Sequence, residues 1–163
     1  MYAEAVQLFR FLHRPEPGVA AAAGQAEPRQ GVSGIYQMYD FDSLLMRALE
    51  EDTGSGDVTT LATIPADAVC SGRFLAREEG VICGLSLLTR VFALIDPGIE
   101  VDCVISDGDC VAAGQVIARI SGPARGVLTG ERVALNFIRH LSGIATRTRA
   151  AVQSVRGTKA RIT

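Results

Sequence analysis

The chain has 163 residues, of which 48% are apolar and 21% charged, with a net charge of −2. That length and apolar share suit one domain, or one domain and a fragment of another; they exclude wholesale disorder, a collagen-like chain and a coiled coil. The small net charge hides a split: residues 40–118 hold four Arg and fourteen acids, about −10, whereas residues 119–163 hold eight Arg and one Lys against Glu131 alone, about +8. Such asymmetry either makes a place for an anion or is neutralised within the fold. No apolar run approaches the ~20 residues that cross a bilayer, so no membrane partner is expected.

Residues 1–38 differ in composition from the rest. Met1 to Leu12 reads as a short amphipathic helix, and Arg14 to Gly34 is largely Ala, Gly, Pro, Gln and charge. That composition buries too little to offset ordering entropy, which predicts a flexible extension. It has no secretory pattern, and Glu4, Glu16 and Glu27 interrupt a transit peptide. A leader read through from an upstream start, with Met38 or Met46 as the natural start, stands beside that reading.

From residue 39 the pattern sharpens. Asp40 can cap a helix with an apolar face of Phe41, Leu44, Leu45, Ala48 and Leu49, followed by a Gly-rich loop to Asp57. Cys70 to Arg77 reads as a strand, residues 78–80 as its turn, and Val81 to Cys83 as a short return strand. Leu85 to Ile95 is helical and stops at Asp96-Pro97-Gly98; Ile99 to Ser106 then alternates as a half-buried strand. Turn signals at 107–109 and 113–114 bracket another short strand, and Val116 to Ile120 is the next. Thr129 onward is helical, with Ala134, Phe137, Ile138, Leu141, Ile144 and Ala145 on one face. Ser142-Gly143 marks a kink or close-packing point, Gly157 closes the pattern, and Ala160 to Thr163 begins a strand. The expected class is α+β: a sandwich-type domain with an antiparallel sheet over 39–142, then the start of a further unit over 143–163.

Chemistry has few candidates. Cys70, Cys83, Cys103 and Cys110 form no C-x-x-C pair, and neither His13 nor His140 sits at ligand spacing, so buried thiols in a reducing cytoplasm are expected and no metal ligand is assigned. Gly122 to Asn136 reads as a Gly/Pro loop entering a helix, where unpaired N–H groups favour an anion. Arg132 in the first turn opposes the helix dipole unless an anion is the third party; pairing with Glu131 or with an acid of the −10 block accounts for it equally well. Arg125, Arg139, Arg147 and Arg149 read as solvated surface, His140 as a packing histidine, and Glu51, Asp52 and Asp57 as helix-end and turn residues. With Phe137 as the only aromatic in 119–163, no nucleic-acid surface is expected.

Several segments together resemble one family: E-D-T-G-S-G-D-V-T-T at 51–60, E-G-V-I-C-G at 79–84, D-G-D-C-V-A-A-G-Q at 107–115, G-P-A-R-G-V-L-T-G-E-R-V-A-L-N-F-I-R-H-L-S-G-I-A-T at 122–146 and V-R-G-T-K-A-R-I at 155–162. They resemble the N-terminal part of quinolinate phosphoribosyltransferases, also called carboxylating nicotinate-nucleotide diphosphorylases. The resemblance implies a pentosyltransferase of NAD biosynthesis, converting quinolinate and phosphoribosyl pyrophosphate, with Mg²⁺, to nicotinate mononucleotide, pyrophosphate and CO₂. It implies an α/β N-terminal domain joined to an open α/β barrel, and a cytoplasmic homodimer in which each N-terminal domain covers the neighbour's barrel. The arginine of E-R-x-x-L-N, here Arg132, would hold a quinolinate carboxylate in the partner's site. The family's T-R-K-T segment, its further basic residues and its acidic metal ligands have no counterpart here, so the chain is expected to be truncated at the threshold of the barrel. It is then inactive alone, with no catalytic residue of its own, or it is a docking domain that completes a separate barrel chain in trans. The 107–115 hairpin also resembles a biotinyl or lipoyl carrier turn, but neither candidate turn holds a lysine; the one lysine is Lys159.

Overall fold

The computed structural model describes residues 6–12, 40–54 and 58–162. Along the chain lie β1 (Val6–Leu12), α1 (Phe41–Thr53), α2 (Val58–Thr63), β2 (Val69–Ala76), β3 (Gly80–Val81), α3 (Leu85–Ile95), β4 (Glu100–Cys103), β5 (Cys110–Val111), β6 (Val116–Pro123) and α4 (Ala124–Ser154). Four strands form an antiparallel sheet in the order β1-β2-β6-β4, and β3 and β5 form a two-stranded ribbon. This is the α+β architecture expected from the sequence pattern.

The sheet has one apolar face. Cys70, Phe74 and Ala76 of β2 and Ile117 and Ile120 of β6 are buried, whereas Ser71, Arg73, Arg119 and Ser121 are exposed. That is the period-two alternation of an antiparallel sheet covered on one side. Helices cover the apolar face. Leu88, Val91 and Phe92 of α3 are buried, and Phe92 meets Phe74 with ring centroids 6.2 Å apart, a tilted aromatic contact. Helix α4 lies against α3 at Gly130, where a Cβ would fall 2.6 Å from Ile95 Cδ1 and 2.8 Å from Phe92 Cε1.

Local chemistry fixes the helix ends. The Asp40 carboxylate accepts from the Ser43 N–H at 3.2 Å, capping α1, and Leu45 and Leu49 are buried as expected. Leu44, expected on the same face, is exposed. Asp107 accepts from the N–H groups of Gly84 and Leu85, each at 3.0 Å, and so caps α3 from across the ribbon. Two donors that would otherwise lack partners are satisfied there by a distant side chain.

Four expectations are corrected. Residues 6–12 form a strand, not a helix: β1 pairs in antiparallel register with β2 from Val6 opposite Ala76 to Leu12 opposite Cys70. Sheet pairing with a distant strand overrides the local helical pattern. The remainder of the 1–38 extension lies outside the described residues, as do Asp57 and Thr163. Second, α4 begins at Ala124, not Thr129, with Pro123 as its N-cap. Proline presets the backbone at a helix start, so the Gly122-Pro123 pair ends β6 and opens α4 without a loop. Third, α4 runs unbroken for 31 residues, and the close packing expected at Ser142-Gly143 falls on Ser142, which is 2% exposed, whereas nothing stands within 4 Å of a Cβ built at Gly143. Fourth, residues 160–162 carry no strand.

Gly130 and Gly143 of α4 therefore differ in kind. Gly130→Ala is expected to lower stability by about 1–3 kcal/mol through overpacking against Phe92 and Ile95. Gly143→Ala is expected to raise it by about 0.5–1 kcal/mol through helix propensity. Urea unfolding of the two variants checks this; equal effects would contradict the packing account.

Candidate functional site

The site is built around the middle of α4. Ser142, 2% exposed, accepts from the Cys83 N–H at 3.0 Å, and one turn on Thr146 Oγ1 accepts from the Val81 N–H at 2.9 Å. These hydroxyls, four residues apart on one helix face, dock the β3 segment along α4. The approach is close enough that a Cβ at Gly80 would meet Thr146 Oγ1 at 2.9 Å and one at Gly84 would meet Leu141 Cδ1 at 2.8 Å. The sequence segments 79–84 and 142–146 are thus two halves of one contact.

A cleft of about 930 Å³ opens beside this contact, between the end of α1, the 78–80 turn and α4. Its apolar lining includes Val81, Ile82, Val133 and Phe137, and its walls carry opposite charge: Glu51, Asp52 and Glu79 face Arg139, His140 and Arg147. That volume falls in the range of small-ligand sites. His140, expected to pack, is exposed at this cleft, because it stands two residues, about 200° around α4, from each of the buried Ile138 and Ser142.

Arg132 stands one ion pair from the cleft. Its Nη1 lies 3.3 Å from Oδ1 of Asp52, which lines the cleft; the Arg132 side chain is 75% exposed and that of Asp52 22%. Since α4 starts at Ala124, Arg132 lies in the third turn rather than the first. The macrodipole falls off within one turn, so the dipole argument for an anion at Arg132 does not hold. At the helix start Ala124 and Val127 are fully buried, and the Ala124 N–H donates to the Ala68 carbonyl at 2.8 Å, so that donor is not open to an anion.

Other candidates are placed as follows. Arg125, expected at the surface, donates from Nε to the Ile64 carbonyl at 2.9 Å and from Nη2 to that of Leu61 at 3.3 Å, joining the end of α2 to α4. Arg149 contacts the Cys110 sulfur. Only Cys70 is buried, against the expectation for all four cysteines; Cys103 and Cys110 are exposed, and no cysteine is in a disulfide. Desolvation raises the pKa of the Cys83 thiol, with Asp107 adding to it, and desolvation likewise raises that of Cys103. Among the described residues no three or more His, Cys, Asp or Glu side chains gather to hold a metal ion. No helix of the described residues is long and apolar enough to cross a membrane.

This geometry defines an α+β domain whose long helix carries a charged cleft and projects beyond the sheet. It does not define a carrier module: Asp107 and Asp109 of the 107–115 hairpin are used as backbone acceptors, and Lys159 lies past α4. Residues 57–142 match the family model for the quinolinate phosphoribosyl transferase N-terminal domain, and the chain belongs to that family. It is 42% identical over 132 residues to the chloroplastic carboxylating nicotinate-nucleotide pyrophosphorylase of Oryza sativa, covering 80% of this chain and 36% of that protein. It is 46% identical over 123 residues to the carboxylating nicotinate-nucleotide pyrophosphorylase of Mycobacterium leprae, covering 72% of this chain and 43% of that one. Among solved structures it superposes on NadC from Streptococcus pyogenes with TM-score 0.68 at 39% identity, covering 71% of this chain and 42% of the other. The chain thus spans well under half the length of these relatives.

The raised thiol pKa values give a direct check. The thiolate is the nucleophile, so a raised pKa leaves less of it near neutrality. At pH 8, Cys83 and Cys103 are expected to react with iodoacetamide more slowly than cysteine in an unstructured peptide, read by peptide mass mapping. A faster reaction at Cys83 would revive a thiol nucleophile.

Proposed function

We propose that this chain supplies the N-terminal domain of a quinolinate phosphoribosyltransferase of NAD biosynthesis. The reaction joins quinolinate and phosphoribosyl pyrophosphate into nicotinate mononucleotide, pyrophosphate and CO₂, in the cytoplasm. The observation that carries the reading is the family match over 57–142, which includes the E-R-V-A-L-N segment with Arg132. Its guanidinium is largely exposed and held by a single loose ion pair, which leaves it able to take a substrate carboxylate. A guanidinium suits this task because its planar fork matches a carboxylate bidentately.

The groups that grip the phosphates and Mg²⁺ belong, in this reading, to an α/β barrel outside these 163 residues, against which this domain docks. Ile144 and Val152, 52% and 47% exposed on the second half of α4, fit such a docked domain. Catalysis of phosphoribosyl transfer is largely electrostatic stabilisation of departing pyrophosphate, which these 163 residues do not provide by themselves.

The test is formation of nicotinate mononucleotide by the chain alone and mixed with the barrel domain of a relative. No turnover is expected alone, and turnover is expected in the mixture. Arg132→Ala should then lower kcat/KM by roughly 10- to 100-fold, mainly through KM for quinolinate, as loss of one charge-assisted contact predicts. Turnover by the unmixed chain, or an unchanged KM in the variant, would overturn the reading.

A further inference from the structure

Three arginine–aspartate pairs among the described residues differ in geometry; Arg119 meets Asp102 through one nitrogen at 3.3 Å, away from the cleft. Arg90 grips Asp42 with both arms, Nε to Oδ1 at 2.8 Å and Nη2 to Oδ2 at 2.6 Å. Arg132 touches Asp52 through one nitrogen at 3.3 Å. The Arg90 pair uses the guanidinium fork in full; the Arg132 pair leaves most of its donors open.

The burial of the Arg132 pair is also lopsided. Asp52, at 22% side-chain exposure, is the anchored member, and Arg132, at 75%, is the free one. Asp52 lies at the end of α1, whose last turn holds no basic residue, with Glu50 and Glu51 beside it. Helix carbonyls there already concentrate partial negative charge. The carboxylate thus draws a cation from another element, and α4 supplies Arg132. Because Asp52 also lines the cleft, the pair sits at the place where an incoming anion would meet the guanidinium.

Resting on the reading that Arg132 takes a substrate carboxylate, we infer that Asp52 is a positioning residue that occupies Arg132 until that carboxylate displaces it. Asp52 holds the guanidinium at the cleft while the site is empty. It engages one nitrogen only, so a planar aromatic dicarboxylate that offers a bidentate contact outcompetes it. A monodentate anion gains little over Asp52 and is disfavoured by a few-fold only. Exposed pairs contribute at most about 1 kcal/mol, so the barrier to exchange is small: removing Asp52 corresponds to two- to five-fold tighter binding.

The test is phenylglyoxal labelling of the folded chain mixed with the barrel domain of a relative, with Arg132 read by peptide mass mapping, with and without quinolinate. Asp52→Asn is expected to label Arg132 two- to five-fold faster than the unsubstituted chain. The quinolinate concentration that half-protects Arg132 should fall by a similar factor. Glu51→Gln removes the same charge from the cleft wall but leaves the pair, and its shift should be clearly smaller. Asp52→Ser repeats the measurement should Asp52→Asn lose its cooperative thermal transition. Equal protection with and without Asp52 would overturn the positioning role and leave the carboxylate reading standing. An equal shift in Glu51→Gln would also overturn it, since the effect would then be a general field. Failure of quinolinate to protect Arg132 in any of the chains would overturn the carboxylate reading, and the role of Asp52 with it.

Discussion

Everything in this domain depends on where α4 can lie. At 1.5 Å per residue its 31 residues span about 46 Å, longer than the sheet it covers. Its first half is seated by absent side chains: at Gly126 a Cβ would fall 2.8 Å from Ile99 Cδ1, and at Gly130 closer still to Ile95. Its middle is held by hydroxyls, Ser142 to the Cys83 backbone and Thr146 to the Val81 N–H. A helix clamped at two places along its axis has little freedom to rotate. The residues it presents to the cleft, Arg139, His140 and Arg147, are therefore fixed relative to the acids of α1 and the 78–80 turn.

Elements whose apolar residues recur locally were legible in the sequence. Helix α3 begins at Leu85 and ends at Ile95 as its periodicity demands, and β2 and β6 follow from their alternation. What was illegible is what involves a distant partner. Nothing between Met1 and Leu12 announces a strand, because the evidence for it is seven pairings with residues 70–76. Asp107 reads as a turn residue; its second task, capping a helix that starts 22 residues earlier, exists only in the fold. The start of α4 was hidden differently. Gly126 and Gly130 look like loop or helix-weakening residues, yet they are there because α3 and the start of β4 leave no room for a side chain.

The candidate site shows the same division. The E-R-x-x-L-N and S-G-I-A-T segments marked the right helix, but not the division of labour along it. Ser142 and Thr146 are structural, whereas Arg132 is exposed. The argument from a helix start chose Arg132 for a reason that does not survive, since its turn is the third.

The charge split gains a physical meaning from these contacts. Arg119 with Asp102 and Arg132 with Asp52 each join the basic segment to the acidic one, whereas Arg90 with Asp42 lies within the acidic segment. The two blocks do neutralise each other, but the pairs that cross between them are the longer, 3.3 Å each, against 2.6 Å for the internal pair. Exposed pairs of that kind are screened and worth little, so they set orientation more than stability. An arginine that passes from an acid to an incoming anion, as proposed for Arg132, needs a partner of this sort. A tight bidentate acid would hold the guanidinium against its ligand, and no acid at all would leave it open to any anion. The loose pair between Asp52 and Arg132 meets both conditions.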